Sequence, residues 1–115
     1  MINMVMLVGR LVDNPEVIEK DDNKKVSRIT LAVNRKFKGP DGVYKTDFID
    51  CVLWNNIAKN TSEFCSKGDL VGIRGRIQVE NYEKDGIIKK ITEVIAESVT
   101  FLSTGKSKLN PETEK

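Results

Sequence analysis

Residues 44–82 read YKTDFIDCVLWNNIAKNTSEFCSKGDLVGIRGRIQVENY, and they place a strand, a helix and a longer strand in immediate succession. From Tyr44 to Trp54 the side chains alternate as in a half-buried strand. Asn55 or Asn56 then offers an N-cap. Ile57, Thr61, Phe64 and Cys65 follow at i, i+4, i+7 and i+8, one face of a helix. Lys67 with Gly68 reads as a basic last turn and its stop. Strand alternation resumes over 70–82.

Strand signals continue on both sides. Upstream, residues 2–12 (INMVMLVGRLV) form an apolar run without helical period that ends near Asn14-Pro15. A polar loop over 19–25 precedes a strand at 26–36, and Gly39-Pro40-Asp41-Gly42 is a hairpin connection to Tyr44. Downstream, a turn at Asp85-Gly86 leads into a strand over 88–102. The remainder, STGKSKLNPETEK (103–115), is polar and expected to be a disordered tail. Three strands, a helix and two strands is the order of an all-β, five-stranded OB-fold Greek-key barrel with its helix between strands three and four. The same order also fits other small β-barrels. One domain, residues 1–102, is expected.

The 115 residues, 39% hydrophobic and 31% charged, suit one soluble domain with a modest core. No stretch is apolar for long enough to span a bilayer, and the start lacks the basic region and cleavage site of a secretory signal, so a cytoplasmic protein is expected. With no histidine, a Cys/His zinc site and histidine-based catalysis are both excluded. Cys51 and Cys65 are too few for a disulfide framework and read as small buried hydrophobes. A net charge of +2 means that a nucleic-acid partner would require the basic residues to gather on one face.

Strand parity tests for such a face, because side chains alternate with period two. In strand four, Val71, Ile73, Gly75, Ile77 and Val79 make a core face, and Arg74, Arg76, Gln78, Glu80 and Tyr82 point the other way. In strand three, Ile49, Cys51 and Leu53 face the core, opposite Phe48, Asp50, Val52 and Trp54. Large aromatics on a wet face forfeit burial worth about 1.5–3 kcal/mol each, so they require a reason. Base stacking is one, worth about 1–3 kcal/mol per base, with neighbouring arginines tracking phosphates. Packing under a loop or against another subunit is the other. Strand one is apolar on both faces, with Val5, Leu7 and Leu11 on one side. Met4, Met6 and Val8 on the other need a cover, which the helix could provide but a symmetric partner subunit supplies more naturally.

Five segments in order then resemble the bacterial single-stranded DNA-binding protein family over roughly residues 1–102. These are NMVMLVGRL with NPEV, ITLAVNRKF, TDFIDCVLW, CSKGDLVGIRGRIQVENYE and ITEVIAESVTFL. The resemblance implies an OB-fold, a homotetramer, and single-stranded DNA wrapped over aromatic and basic residues in replication, recombination, repair or uptake. Carried over by position, the stacking residues are Phe37, Phe48, Trp54 and Tyr82. The phosphate contacts are Arg10, Arg35, Lys36, Arg74 and Arg76. Lys84, Lys89 and Lys90 flank a hairpin that would grip DNA or pair dimers. Phe37 and Phe48 stand where the family often has tryptophan, and Ile18 stands where a basic residue is common. Phe64 and Phe101 are expected in the core, and Tyr44 reads as a hairpin residue. The family's glycine-rich linker and acidic tip are not seen before NPETEK, so recruitment of genome-maintenance proteins through such a tip is not expected.

A second class of function is an OB-fold protein-interaction module, such as a primosome component, with little nucleic-acid binding. RNA binding is a near neighbour, since stacking tolerates either sugar. No enzyme is indicated. The chain lacks a phosphate loop or nucleophile motif, and Asp50 beside Trp54 is a lone carboxylate. No cofactor, metal or membrane partner is implied.

Overall fold

The computed structural model describes residues 1–103, and the tail expected beyond them lies outside the described residues. Its elements are β1 (Val5–Leu11), β2 (Ile18–Glu19), β3 (Lys25–Lys38), β4 (Tyr44–Trp54), α1 (Asn55–Phe64), β5 (Leu70–Lys84) and β6 (Ile87–Ser103). The strands hydrogen-bond in the order β1-β5-β6-β4-β3-β2, and β1 returns to pair with β3, closing a five-stranded barrel with β2 at its margin. The element order matches that expected from the sequence. β2 is the addition, a two-residue segment opposite Val26 and Lys25, too short to show any alternation.

Closure depends on β1 serving two neighbours. Val5–Arg10 lie along β5, while Arg10 and Leu11 pair with Ala32 and Leu31 of β3. Gly9 sits at this crossing, where a Cβ would stand 2.7 Å from the Ala32 carbonyl oxygen. The alternation of each strand sends one face into the barrel. Leu11, Ile29, Leu31, Leu53, Val71 and Ile73 meet there with Cys51 and Cys65, and Ala58 of α1 plugs the same cluster. Both cysteines are buried and outside any disulfide, as expected. Burial, and secondarily the charge of Asp50, pushes the Cys51 thiol up to about 12, so it stays protonated and inert at neutral pH.

The helix departs from its expected caps. Trp54, in extended backbone, occupies the N-cap position and makes no capping bond with its side chain. Asn55 adopts φ 53°, and its Oδ1 accepts the Lys25 N–H at 3.1 Å, tying the helix start to β3. The helix ends at Phe64, three residues before Lys67, so Gly68 does not stop it. Gly68, at φ 91°, instead shapes the next loop, where its N–H donates to the Leu11 carbonyl at 2.8 Å. Ala58 and Thr61 are the buried helix residues. Phe64, expected in the core, is about half exposed and packs at the rim against Phe101, with ring centroids 5.8 Å apart.

Strand four also holds a correction. Ile77 and Val79 are exposed rather than core residues. The β5–β6 register shifts between Arg74 and Gly75, where Glu97 of β6 is the extra residue. Beyond this bulge the two strands leave the barrel as a free hairpin arm, and every residue from Val79 to Thr92 is exposed. The arm closes on Asp85-Gly86, with φ 54° and 79°, the pair of positive φ values that a two-residue type I′ turn requires. At the arm's root, Asn3 caps the edge of β5. Its side-chain amide donates to the Ile77 carbonyl at 2.7 Å and accepts the Ile77 N–H at 2.8 Å.

Candidate nucleic-acid interface

The register fixes which side chains share the outer face of the sheet. Along β3 and β4 the facing pairs are Lys38/Tyr44, Asn34/Thr46, Ala32/Phe48, Thr30/Asp50, Arg28/Val52 and Val26/Trp54. Two hydrogen bonds confirm a common side: Thr46 Oγ1 to Asn34 Oδ1 at 2.8 Å, and Thr30 Oγ1 to Asp50 Oδ1 at 3.0 Å. Val52 lies beside Ile95 of β6, and Ile95 lies opposite Arg76 of β5. By alternation Gln78, Glu80 and Tyr82 continue that face along the arm.

Phe48, Trp54 and Tyr82 therefore stand on one sheet face with Arg76, as strand parity predicts. Phe48 is 66% exposed and Trp54 37%. Val52 shares the face but is buried with Val26 and Ile95 in a small apolar cluster of its own. This floor keeps the neighbouring Trp54 half-sunk, with part of its ring still open. Phe37 is the most exposed of the four predicted aromatics and sits apart, within the register irregularity between Asn34 and Lys38. There it lines an open concavity with Arg35, Lys36, Lys38 and Lys45.

The predicted cations fall into two groups. Arg35 is engaged by Asp47, its Nε and Nη2 reaching the carboxylate at 2.9–3.2 Å. That hydrogen bonding, more than charge alone, raises the Arg35 pKa, and it holds the Asp47 carboxyl below the usual carboxylate range. By alternation Arg35 belongs to the odd-numbered side of β3, opposite Phe48. Arg74 faces Glu97 at 3.9 Å, and Arg28, which sequence reasoning did not single out, is paired with Glu93. Arg76 Nη1 donates to Gln78 Oε1 at 2.9 Å, and Gln78 passes a bond on to Glu80. Arg10 donates to the Gly68 carbonyl at 3.0 Å. Lys36, Lys84 and Lys89 are exposed, the last two on the arm. Lys84 and Lys89 share the face of Tyr82, which lies directly opposite Lys89. Among the described residues no group of three acidic, cysteine or histidine side chains is placed to hold a metal. No described helix is long and apolar enough to cross a membrane.

A closed barrel of this strand order, with its helix between β4 and β5, defines an OB-fold protein, and the β3–β4 face of its sheet carries the spaced aromatics Phe48 and Trp54. The profile of the single-strand binding protein family matches residues 2–102, and the chain belongs to that family. It is 45% identical to the single-stranded DNA-binding protein B of Bacillus subtilis over 103 residues, covering 89% of this chain and 91% of that one. Identity is also 45% to single-stranded DNA-binding protein 1 of Lactococcus lactis, over 93% of this chain and 72% of the relative. Among solved structures, a Plasmodium falciparum SSB in complex with single-stranded DNA superposes with a TM-score of 0.80. The identity there is 26%, covering 90% of this chain and 96% of the other.

Proposed function

We propose that this protein binds and protects single-stranded DNA without reading its sequence. Bases stack on Phe48, Trp54, Tyr82 and Phe37. Phosphates are held by Arg10, Lys36, Arg74, Arg76, Lys84 and Lys89, in the setting of replication, recombination, repair or uptake. The observation that carries the reading is the outer sheet face, where the exposed aromatic residues Phe48, Trp54 and Tyr82 share one side of the sheet with Arg76, Lys84 and Lys89. Every base has a π-face, so such a surface binds any sequence, and a duplex keeps those faces stacked away. Lys89 and Lys84 beside Tyr82 supply the charge that makes capture salt-dependent. Arg35 contributes less than its position suggests, because Asp47 already neutralises it.

The same reading includes assembly as a homo-oligomer, a tetramer by family resemblance. It rests here on Met4, Met6 and Val8, an exposed apolar row that no described element of the chain covers.

The test is a titration of the single tryptophan, Trp54, with oligo-dT at low and high salt, with a duplex of equal length as control. Quenching by the single strand alone, weakening as salt rises, is expected. Phe48→Ala should lower affinity by about 1–3 kcal/mol, the worth of one stack. Unchanged dT binding in a Phe48→Ala, Trp54→Ala double variant, followed by anisotropy of labelled dT, would refute the stacking surface.

A further inference from the structure

Tyr44 has no role in the surface described so far, and as a sequence residue it reads only as part of a hairpin. Its placement says more. β4 is regular from Tyr44 to Trp54, so residues 44, 48 and 54 project from the same side. Tyr44 lies about 14 Å along the strand from Phe48. The residue is 57% exposed, and among the described residues its ring stacks on no other aromatic. Directly across the ribbon is Lys38, whose Nζ lies over the ring at 5.6 Å from its centroid.

We infer that Tyr44 is a further base-stacking platform, with Lys38 as its phosphate-side cation, extending the single-strand track to the tip of the β3–β4 ribbon. The inference rests on the single-strand reading above. A cation on one face of a tyrosine ring leaves the opposite face for a base, and places positive charge within reach of the phosphates that flank that base. Two further features support the position. The concavity that holds Phe37, Lys36 and Lys45 opens at the same end of the ribbon. Between Tyr44 and Phe48 the face carries only Asn34 and Thr46, which are bonded to each other and leave no anion in the path.

The experiment compares wild type with Tyr44→Ala, Tyr44→Phe, Tyr44→Leu and Lys38→Gln, using labelled dT long enough to span the ribbon. Binding is read by anisotropy, and folding by the thermal midpoint. Tyr44→Ala and Tyr44→Leu should each weaken binding about five-fold or more, while Tyr44→Phe keeps wild-type affinity. Lys38→Gln should flatten the plot of log K against log salt by about 0.7, one phosphate contact on a single strand. Wild-type affinity in Tyr44→Ala, or full rescue by leucine, would overturn the assignment and leave the single-strand reading standing. A wild type that does not bind dT at all would overturn both.

Discussion

At the scale of single residues, the most instructive arrangement is Arg35 with Asp47. Both side chains are about half exposed, and such a pair adds little to stability. Its consequence is for binding, since a phosphate that would use Arg35 must first displace a bidentate carboxylate. Asp47→Asn should therefore tighten dT binding at low salt and steepen the salt slope by about 0.7. Equal slopes in the two proteins would place Arg35 off the phosphate path. Acid is a second way to release it. The Asp47 pKa is lowered in the folded protein, so the pair is complete above the ordinary carboxylate range and is lost only as pH falls through that lowered value. Binding near neutral pH should be insensitive to it. This partner was not legible in the sequence. Asp47 lies twelve residues from Arg35, and only the strand register, with its irregularity after Asn34, brings the two together. Phe48, Trp54, Arg74 and Arg76 were legible, because alternation alone separates them from Ile49, Leu53, Val71 and Ile73.

At the scale of elements, the bulge at Gly75 decides where the barrel stops and the arm begins. A Cβ at Gly75 would lie 2.1 Å from the Ile95 carbonyl oxygen, a backbone atom that cannot yield as a flexible side chain would. Gly75→Ala should cost about 1–3 kcal/mol or more, read as a lowered urea midpoint. A wild-type midpoint would show that the bulge relaxes freely. Ile77 and Val79 were misread for the same reason. They keep the period of the core face, but period carries no information about where the opposing layer ends. Gly68 failed differently. A glycine after lysine is a helix-stop signal, yet here the chain leaves the helix at Cys65, whose extended backbone ends it first. The strand–helix–strand order itself was secure, because the two alternating runs flank a segment that alternates with neither.

At the scale of the molecule, the chain leaves an apolar band on β1, and Met6 is 74% exposed. With Val8 and Leu102 it borders a groove over Gly72, where the lack of a side chain thins the sheet's outer surface. A Met6→Glu, Val8→Glu double variant should sediment as a smaller species than wild type while retaining its folded spectrum. Wild-type mass in that variant would move the interface elsewhere. The topology has one more effect, on how each chain comes into being. β1 is made first, yet most of it pairs with β5, Val5 opposite Gly75. At about 5–20 residues per second, β1 waits roughly 3–14 seconds on the ribosome for that partner. During this interval Val5 and Leu7, later packed on the core, and Met6 and Val8, later outermost, are all bare together. Of the barrel strands, β1 is thus the one that waits longest for its main partner, with both of its apolar faces uncovered meanwhile.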